Sequence, residues 1–338
     1  MHRRGVHVDV APRLEATVPL TRERWAHRHW LGPGVRANAG TMKILIALDG
    51  SDGAAVARDL VVALPLPNTT EVHLVAAYQV PTDWTPDLGA GMSWIDDADT
   101  AMQETLHEKL RTMAAPFGTA GITPVEHVVR DRAATAICDV ARAIGADLVV
   151  TGSRGRGVIA ATLLGSVAAE VAARAPCPVL VARSSNISRL LVATDGSRSA
   201  ELIPDRLEAW GLFQGLPADV IGVSISESPT FELIVGLYTL GDDRLAAKRR
   251  DIHERYRRSA DAMAARLSAI GLPATAHVRT GDVAHEILHA ARDHGADLVI
   301  TGSRGLGALD RLLLGSVARS VLTHFGGSVM VMREAEPA

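Results

Sequence analysis

The sequence predicts an α/β protein made of two tandem doubly wound domains, each a five-stranded parallel sheet with helices on both faces. Three observations predict it. Short apolar runs alternate with helical stretches in βαβα order, the pattern of parallel strands joined by crossover helices. Apolar residues make up 47% of the chain but aromatic ones only 4%, so the cores must be Val, Leu, Ile and Ala, as buried parallel strands require. Finally, the chain repeats itself. Gly152-Ser153-Arg154-Gly155 with Gly165-Ser166 returns as Gly302-Ser303-Arg304-Gly305 with Gly315-Ser316, 150 residues on. Residues 145–172 set against 295–322 share 18 of 28 letters. That period is the size of a domain and far too long for a solenoid unit.

The repeat divides the 338 residues into a basic tail (1–41), a first domain (42–184), a second domain (185–334) and a short end (335–338). A net charge of −3 and a pI near 6.5 point to neither a nucleic acid nor a membrane surface as partner. No apolar run is long enough to span a bilayer. Cys138 and Cys177 form no metal spacing and no disulfide framework; they read as reduced thiols of a cytoplasmic protein.

Residues 1–41 carry seven Arg, four His and three acids, and no uninterrupted apolar stretch of the signal-peptide kind. They are expected to be a disordered tail. Two alternatives stay open: translation starting at Met42, and a basic interaction arm. Strand 43–48 then stops at Asp49-Gly50-Ser51, as strand 189–194 stops at Asp195-Gly196-Ser197. Each Asp sits where a strand gives way to a helix, at the carboxyl edge of the sheet where α/β proteins bind ligands. There it can accept hydrogen bonds from a ribose or an adenine amino group, or act as an Asx turn or helix cap. A helix over 52–64 ends at Pro65 and Pro67, and strands are expected at 71–78 and 219–225. The stretch 79–97, with Trp84 and Trp94, reads as a mobile loop, and 226–240 is its divergent counterpart. Helices at 98–119 and 242–270 follow, the second with interleaved basic and acidic residues that suit a solvated face. Strands 123–129 and 274–279 lead to helices 133–144 and 283–294; the last strands are 178–182 and 328–332.

The repeated glycine stretch carries the chemistry. The apolar run 147–151 reads as a buried strand, and Ser166 is a candidate N-cap of the helix that follows. A Gly-rich link ending at a helix start offers backbone N–H groups and a positive dipole end to an anion. Gly152, Gly155, Gly165, Ser166 and Val167, with Gly302, Gly305, Gly315, Ser316 and Val317, therefore form two candidate phosphate cradles; Arg154 and Arg304 add charge. No Lys-Ser/Thr follows the glycines, so this is not a Walker A loop, and the third glycine of a dinucleotide fingerprint is missing.

The spacing Gly-x2-Gly-x9-Gly-Ser, in two copies in register, resembles the ATP-binding signature of the universal stress protein family in its tandem form, over residues 42–334. The resemblance implies a Rossmann-like, adenine nucleotide alpha hydrolase-like fold that takes ATP, with Mg²⁺ or Mn²⁺ bound through the phosphates. It implies adenine contacts from the backbone of Ala77 and Ile225, and last strands that pair between the two halves or between two chains in a homodimer. It also implies a nucleotide-dependent regulatory role in stress with a protein partner still to be found. A slow ATP hydrolase or phosphoryl-transfer enzyme, using Arg154 and Arg304, and a non-catalytic scaffold are the alternatives. One departure lies in Arg130-Asp131-Arg132, where the second half has the turn-and-cap sequence Thr280-Gly281-Asp282. His285-Glu286-Ile287-Leu288-His289 matches the zinc-protease letters. The aligned residues Thr135 to Asp139 show that this helix needs no His, so no metal ligand is assigned among the protein's residues.

Overall fold

The structure, a computed structural model, describes residues 41–79, 93–155, 164–224, 242–303 and 314–333. The expectations placed on residues 1–40 and 335–338, on Trp84, Ile225, Arg304 and Gly305, and on the loop over 226–240 lie outside the described residues, as does the side chain of Trp94. The first half runs β1 (Lys43–Ala47), α1 (Asp52–Ala63), β2 (Glu71–Tyr78), α2 (Ser93–Thr119), β3 (Val125–Arg130), α3 (Ala133–Ile144), β4 (Leu148–Gly152), α4 (Ser166–Arg174), β5 (Val179–Ala182). The second runs β6 (Leu190–Thr194), α5 (Arg198–Glu201), α6 (Ile203–Trp210), β7 (Ala218–Ser224), α7 (Asp242–Ala269), β8 (Ala274–Thr280), α8 (Val283–Asp293), β9 (Leu298–Gly302), α9 (Ser316–His324), β10 (Ser328–Met332). The largest shift from expectation is at a helix start. Helix α2 begins five residues earlier, at Ser93, inside the stretch read as loop. The counterpart of α1 is broken in two at Leu202, because Pro204 in the first turn of α6 cannot donate to the preceding turn.

The strands form one ten-stranded sheet in the order β3-β2-β1-β4-β5-β10-β9-β6-β7-β8. Each half contributes five parallel strands in the same doubly wound order. The halves join through β5 and β10, which pair antiparallel with Val181 opposite Val329 and Val179 opposite Val331. Side-chain alternation sorts the core into two layers. Ile44, Ile46, Val192 and Ile300 pack under α1, α2, α6 and α7, with Phe117 and Trp210. Leu45, Val149, Leu191 and Val299 pack under α3, α4, α8 and α9. Both layers run unbroken through the β5–β10 junction.

Two arginines, related by the repeat, lock this junction. Arg183, just past β5, donates to the carbonyls of Leu322 at 2.5 Å and Gly327 at 3.0 Å, and its backbone N–H reaches Ser328 Oγ at 3.1 Å. Arg333, just past β10, donates to the carbonyl of Ala172 at 3.1 Å. Leu322 and Ala172 lie in the last turns of α9 and α4, whose carbonyls lack helical partners and carry the negative end of the helix dipole. Burial pulls the Arg183 guanidinium down to about 10, which leaves it charged at neutral pH.

Two consequences can be measured. Asp282 caps α8 by accepting from the His285 N–H at 2.9 Å, whereas Arg132 at the same place before α3 makes no side-chain cap. Arg132→Asp should therefore stabilise the protein by about 1 kcal/mol in chemical denaturation. In the first half His73 Nδ1 and His127 Nε2 lie 3.0 Å apart, both buried. Burial, reinforced by His73, pushes His127 down to about 4. The unfolded chain then takes up this proton first, so stability falls as pH drops from about 6.5 toward 4. His127→Gln should flatten that part of the pH–stability curve.

Candidate functional site

Sheet order places a crevice between β1 and β4, where the crossovers leave in opposite directions at the carboxyl ends of the strands. Asp49 stands just past the end of β1. Its Oδ1 accepts from the Ser51 N–H at 2.9 Å, while Ser51 Oγ accepts from the Ala54 N–H at 3.2 Å. Ser51, not the aspartate, is thus the N-cap of α1, and Asp49 keeps Oδ2 toward the glycine loop: a Cβ on Gly155 would lie 2.6 Å from that atom. Asp195 repeats the turn, with Oδ1 accepting from the Ser197 N–H at 2.8 Å.

The two ends of the glycine loop are tied by one hydrogen bond, from the Gly165 N–H to the Ser153 carbonyl at 2.7 Å. The same bond closes the second loop, Gly315 to Ser303, at 2.8 Å. Ser166 does not cap α4. Gly165 is the N-cap, with φ −79° and ψ 155°, and among the described residues no side-chain cap bond is made there. Ser166 is already helical, so its hydroxyl is not placed to reach back to the following amides. The intrahelical ladder begins with Ala169 N–H to the Gly165 carbonyl at 3.0 Å. The amides of Ser166, Val167 and Ala168 are left at the mouth of a cavity of about 250 Å³ that these residues line.

That cavity gathers every first-half residue the sequence singles out: Asp49, Ala77, Gly152, Arg154, Gly155, Gly165, Ser166 and Val167. Its apolar wall is Val75, Ala133 and Ile137, which the sequence reading missed because they look like ordinary core. In the second half Gly302, Gly315, Ser316, Val317 and Asp195 occupy the matching framework positions.

One difference between the halves is readable from the repeat. Gly53 has Ser199 as its counterpart. A Cβ on Gly53 would run into the Arg154 carbonyl, which lies over α1 and accepts from Ser51 Oγ at 3.3 Å. In the second half the Ser199 hydroxyl lies 2.5 Å from where a Cβ on Gly302 would stand.

Other candidates fall outside the crevice. Cys138 and Cys177 are free and buried, and burial pushes the Cys177 thiol up to about 12, far from a thiolate nucleophile. His285 and His289 sit on the exposed side of α8 with ring centres 5.1 Å apart, and Glu286 lies 3.7 Å from Arg279.

The model of the universal stress protein family matches residues 40–183 and again 186–333. The chain belongs to the universal stress protein family. A universal stress protein of Mycobacterium tuberculosis is 30% identical over 201 residues, 56% of this chain and 63% of that protein, so less than two thirds of the relative is spanned. One from Thermus aquaticus is 31% identical over 141 residues, 41% of this chain and 97% of its own length. A universal stress protein structure from Archaeoglobus fulgidus superimposes with a TM-score of 0.54 over 86% of this chain and 98% of that one, at 20% identity, which speaks to the fold. No helix among the described residues of this universal stress protein is long and apolar enough to cross a membrane.

Gly53 supplies a direct check. Gly53→Ser, which installs the second half's residue, should displace the Arg154 carbonyl and cost about 1–3 kcal/mol of stability by strain. Ser199→Gly should leave the protein folded with a smaller change. Urea denaturation of both variants measures the contrast.

Proposed function

We propose that this universal stress protein binds ATP in the crevice of its first half and acts as a nucleotide-responsive regulatory module, with the matching framework of the second half as a second site. The observation that carries the reading is the start of α4, where the N-cap is a glycine and Ser166, Val167 and Ala168 line a cavity that the Asp49 carboxylate also lines. Amides and dipole suit the phosphates. Asp49 Oδ2 suits the ribose hydroxyls, and the slot of Val75, Ala77 and Ile137 suits the adenine ring. Mg²⁺ or Mn²⁺ would enter on the phosphates and keep most of its water.

Binding is favoured over turnover by what lines the crevice. Among the described lining residues Asp49 is the one carboxylate, and no imidazole or lysine accompanies it. Phosphoryl transfer wants a positioned base and dense charge stabilisation. In the proposed role, ATP stabilises the folded state by mass action and biases the segments around the crevice that a partner protein, or a second copy of the chain, would read.

The test has two parts. Nucleotide released by denaturing the purified protein is identified by chromatography: ATP supports the reading, ADP alone supports a hydrolase. The purified protein is then titrated with Mg-ATP in a thermal-shift assay. ATP at a hundredfold excess over Kd should add about 2.7 kcal/mol. Gly155→Val, whose side chain enters the space beside Asp49 Oδ2, should abolish the shift. An unmoved Tm in the parent protein rejects nucleotide binding.

A further inference from the structure

We propose that the second half holds a metal site distant from the nucleotide crevice: Asp219, His277 and His294 bind one divalent transition ion of the Zn²⁺ type. Asp219 lies near the start of β7, His277 on β8, and His294 closes α8 as its C-cap. Strand register puts Ile221 opposite His277, so Asp219 and His277 share the face that α8 covers. The Asp219 carboxylate is buried, and both imidazoles converge on one of its oxygens. His277 Nε2 is 2.9 Å and His294 Nδ1 3.3 Å from Oδ1. The imidazole centres are 4.4 Å apart, and the donor atoms all lie within 4.8 Å of one another.

A tetrahedral ion with ligands at about 2.0–2.1 Å sets its donors about 3.3 Å apart. The His294–Oδ1 separation is already at that value, the His277–Oδ1 separation is about 0.4 Å short of it, and the imidazole donors lie within 4.8 Å of each other on partly exposed side chains. Arg189 fixes the carboxylate: its Nε and Nη2 donate to Oδ2 at 2.9 and 2.8 Å, which turns Oδ1 toward the imidazoles. A ligating carboxylate held from behind by a hydrogen-bond donor is the usual support of a metal centre. With His277 31% and His294 21% exposed, solvent can fill the fourth position. Two imidazoles and one carboxylate select a borderline transition ion over Mg²⁺ or Ca²⁺, which prefer oxygen alone.

The repeat argues that this cluster is not a by-product of the fold. The matching residues of the first half are Lys43, His73, His127 and Ile144. There the two imidazoles bond each other at 3.0 Å, the half-exposed Glu71 carboxylate lies 3.6 Å from the far nitrogen of His73 and not between the rings, and an aliphatic residue stands in place of His294. Among the described residues, the second half alone combines all three donors. The crevice between β1 and β4 lies six strand spacings away along the sheet, roughly 30 Å, so the two sites can be read separately.

The experiment uses the full chain without a histidine tag, freed of nucleotide and treated with chelator. Zn²⁺ is titrated by calorimetry, and Co²⁺ by the visible absorption of a four-coordinate ion. The expected result is one ion per chain. Affinity should fall at least tenfold in His277→Gln and in His294→Ile, the latter borrowing the first half's residue. His285→Ala/His289→Ala, on the same helix, should bind as the parent does. The proposal is overturned if the parent takes up no stoichiometric Zn²⁺, if both variants bind unchanged, or if the loss follows the His285/His289 pair. Circular dichroism of each variant separates lost ligation from lost folding.

Discussion

The antiparallel contact between β5 and β10 is the constraint on which the architecture rests. Five parallel strands buried on both faces still leave edges with unpaired N–H and C=O groups. Here each half covers one edge of the other, and both apolar layers continue across the seam. The reciprocal arginines make the seam specific. Each guanidinium leaves its own strand to satisfy carbonyls at the end of the other half's last helix. A buried arginine without those carbonyls would be costly. The two halves are therefore held in one register by groups that neither could satisfy alone.

An antiparallel seam has a geometric consequence. Strands of the two halves point in opposite directions, so their carboxyl ends lie on opposite edges of the common sheet. The crevice of the first half and the Asp219 cluster of the second thus share one edge, although one lies at strand ends and the other at strand starts. The first half's histidine pair, near the starts of its strands, lies on the other edge, and the two edges are free to differ.

Much of this was legible in the chain. The strand runs and the helices follow from short Val- and Leu-rich segments and from the repeat; the pairing of the last strands follows from the family resemblance, which leaves the other half and a second chain both open as partner. The eight first-half residues assigned to the site do surround one cavity, because a βα connection at a switch point leaves little choice of where its glycines go. What the letters concealed were matters of neighbours. That Gly165 rather than Ser166 caps α4 depends on backbone angles, and no residue type decides them when both candidates are good caps. The wall of Val75, Ala133 and Ile137 is made of residues indistinguishable from core until the crevice is seen beside them. The cluster of Asp219, His277 and His294 joins positions 58 and 75 residues from the aspartate, on three elements, and no local motif announces it. The zinc-protease letters on α8 drew attention to the wrong face of the right helix.

The His73–His127 pair of the first half and the Asp219 cluster of the second show how a duplicated fold comes to carry different chemistry. Backbone hydrogen bonds are indifferent to side chains, so the sheet accepts His73 or Asp219 at the same position. Burial is not indifferent. A neutral imidazole tolerates that place with one hydrogen bond: His73 meets His127 through Nδ1, and its buried Nε2, 3.6 Å from Glu71, makes none among the described residues. A buried carboxylate needs charge and several donors, or its desolvation dominates. Arg189 in place of Lys43 supplies a two-pronged cation, which a lysine could not. His277 and His294 then complete the shell from the other side. Replacing His73 alone by aspartate in the first half would bury a charge facing an imidazole already pushed toward neutrality, with no guanidinium behind it. The difference between the halves is thus a concerted set of substitutions, and its members hold one another in place.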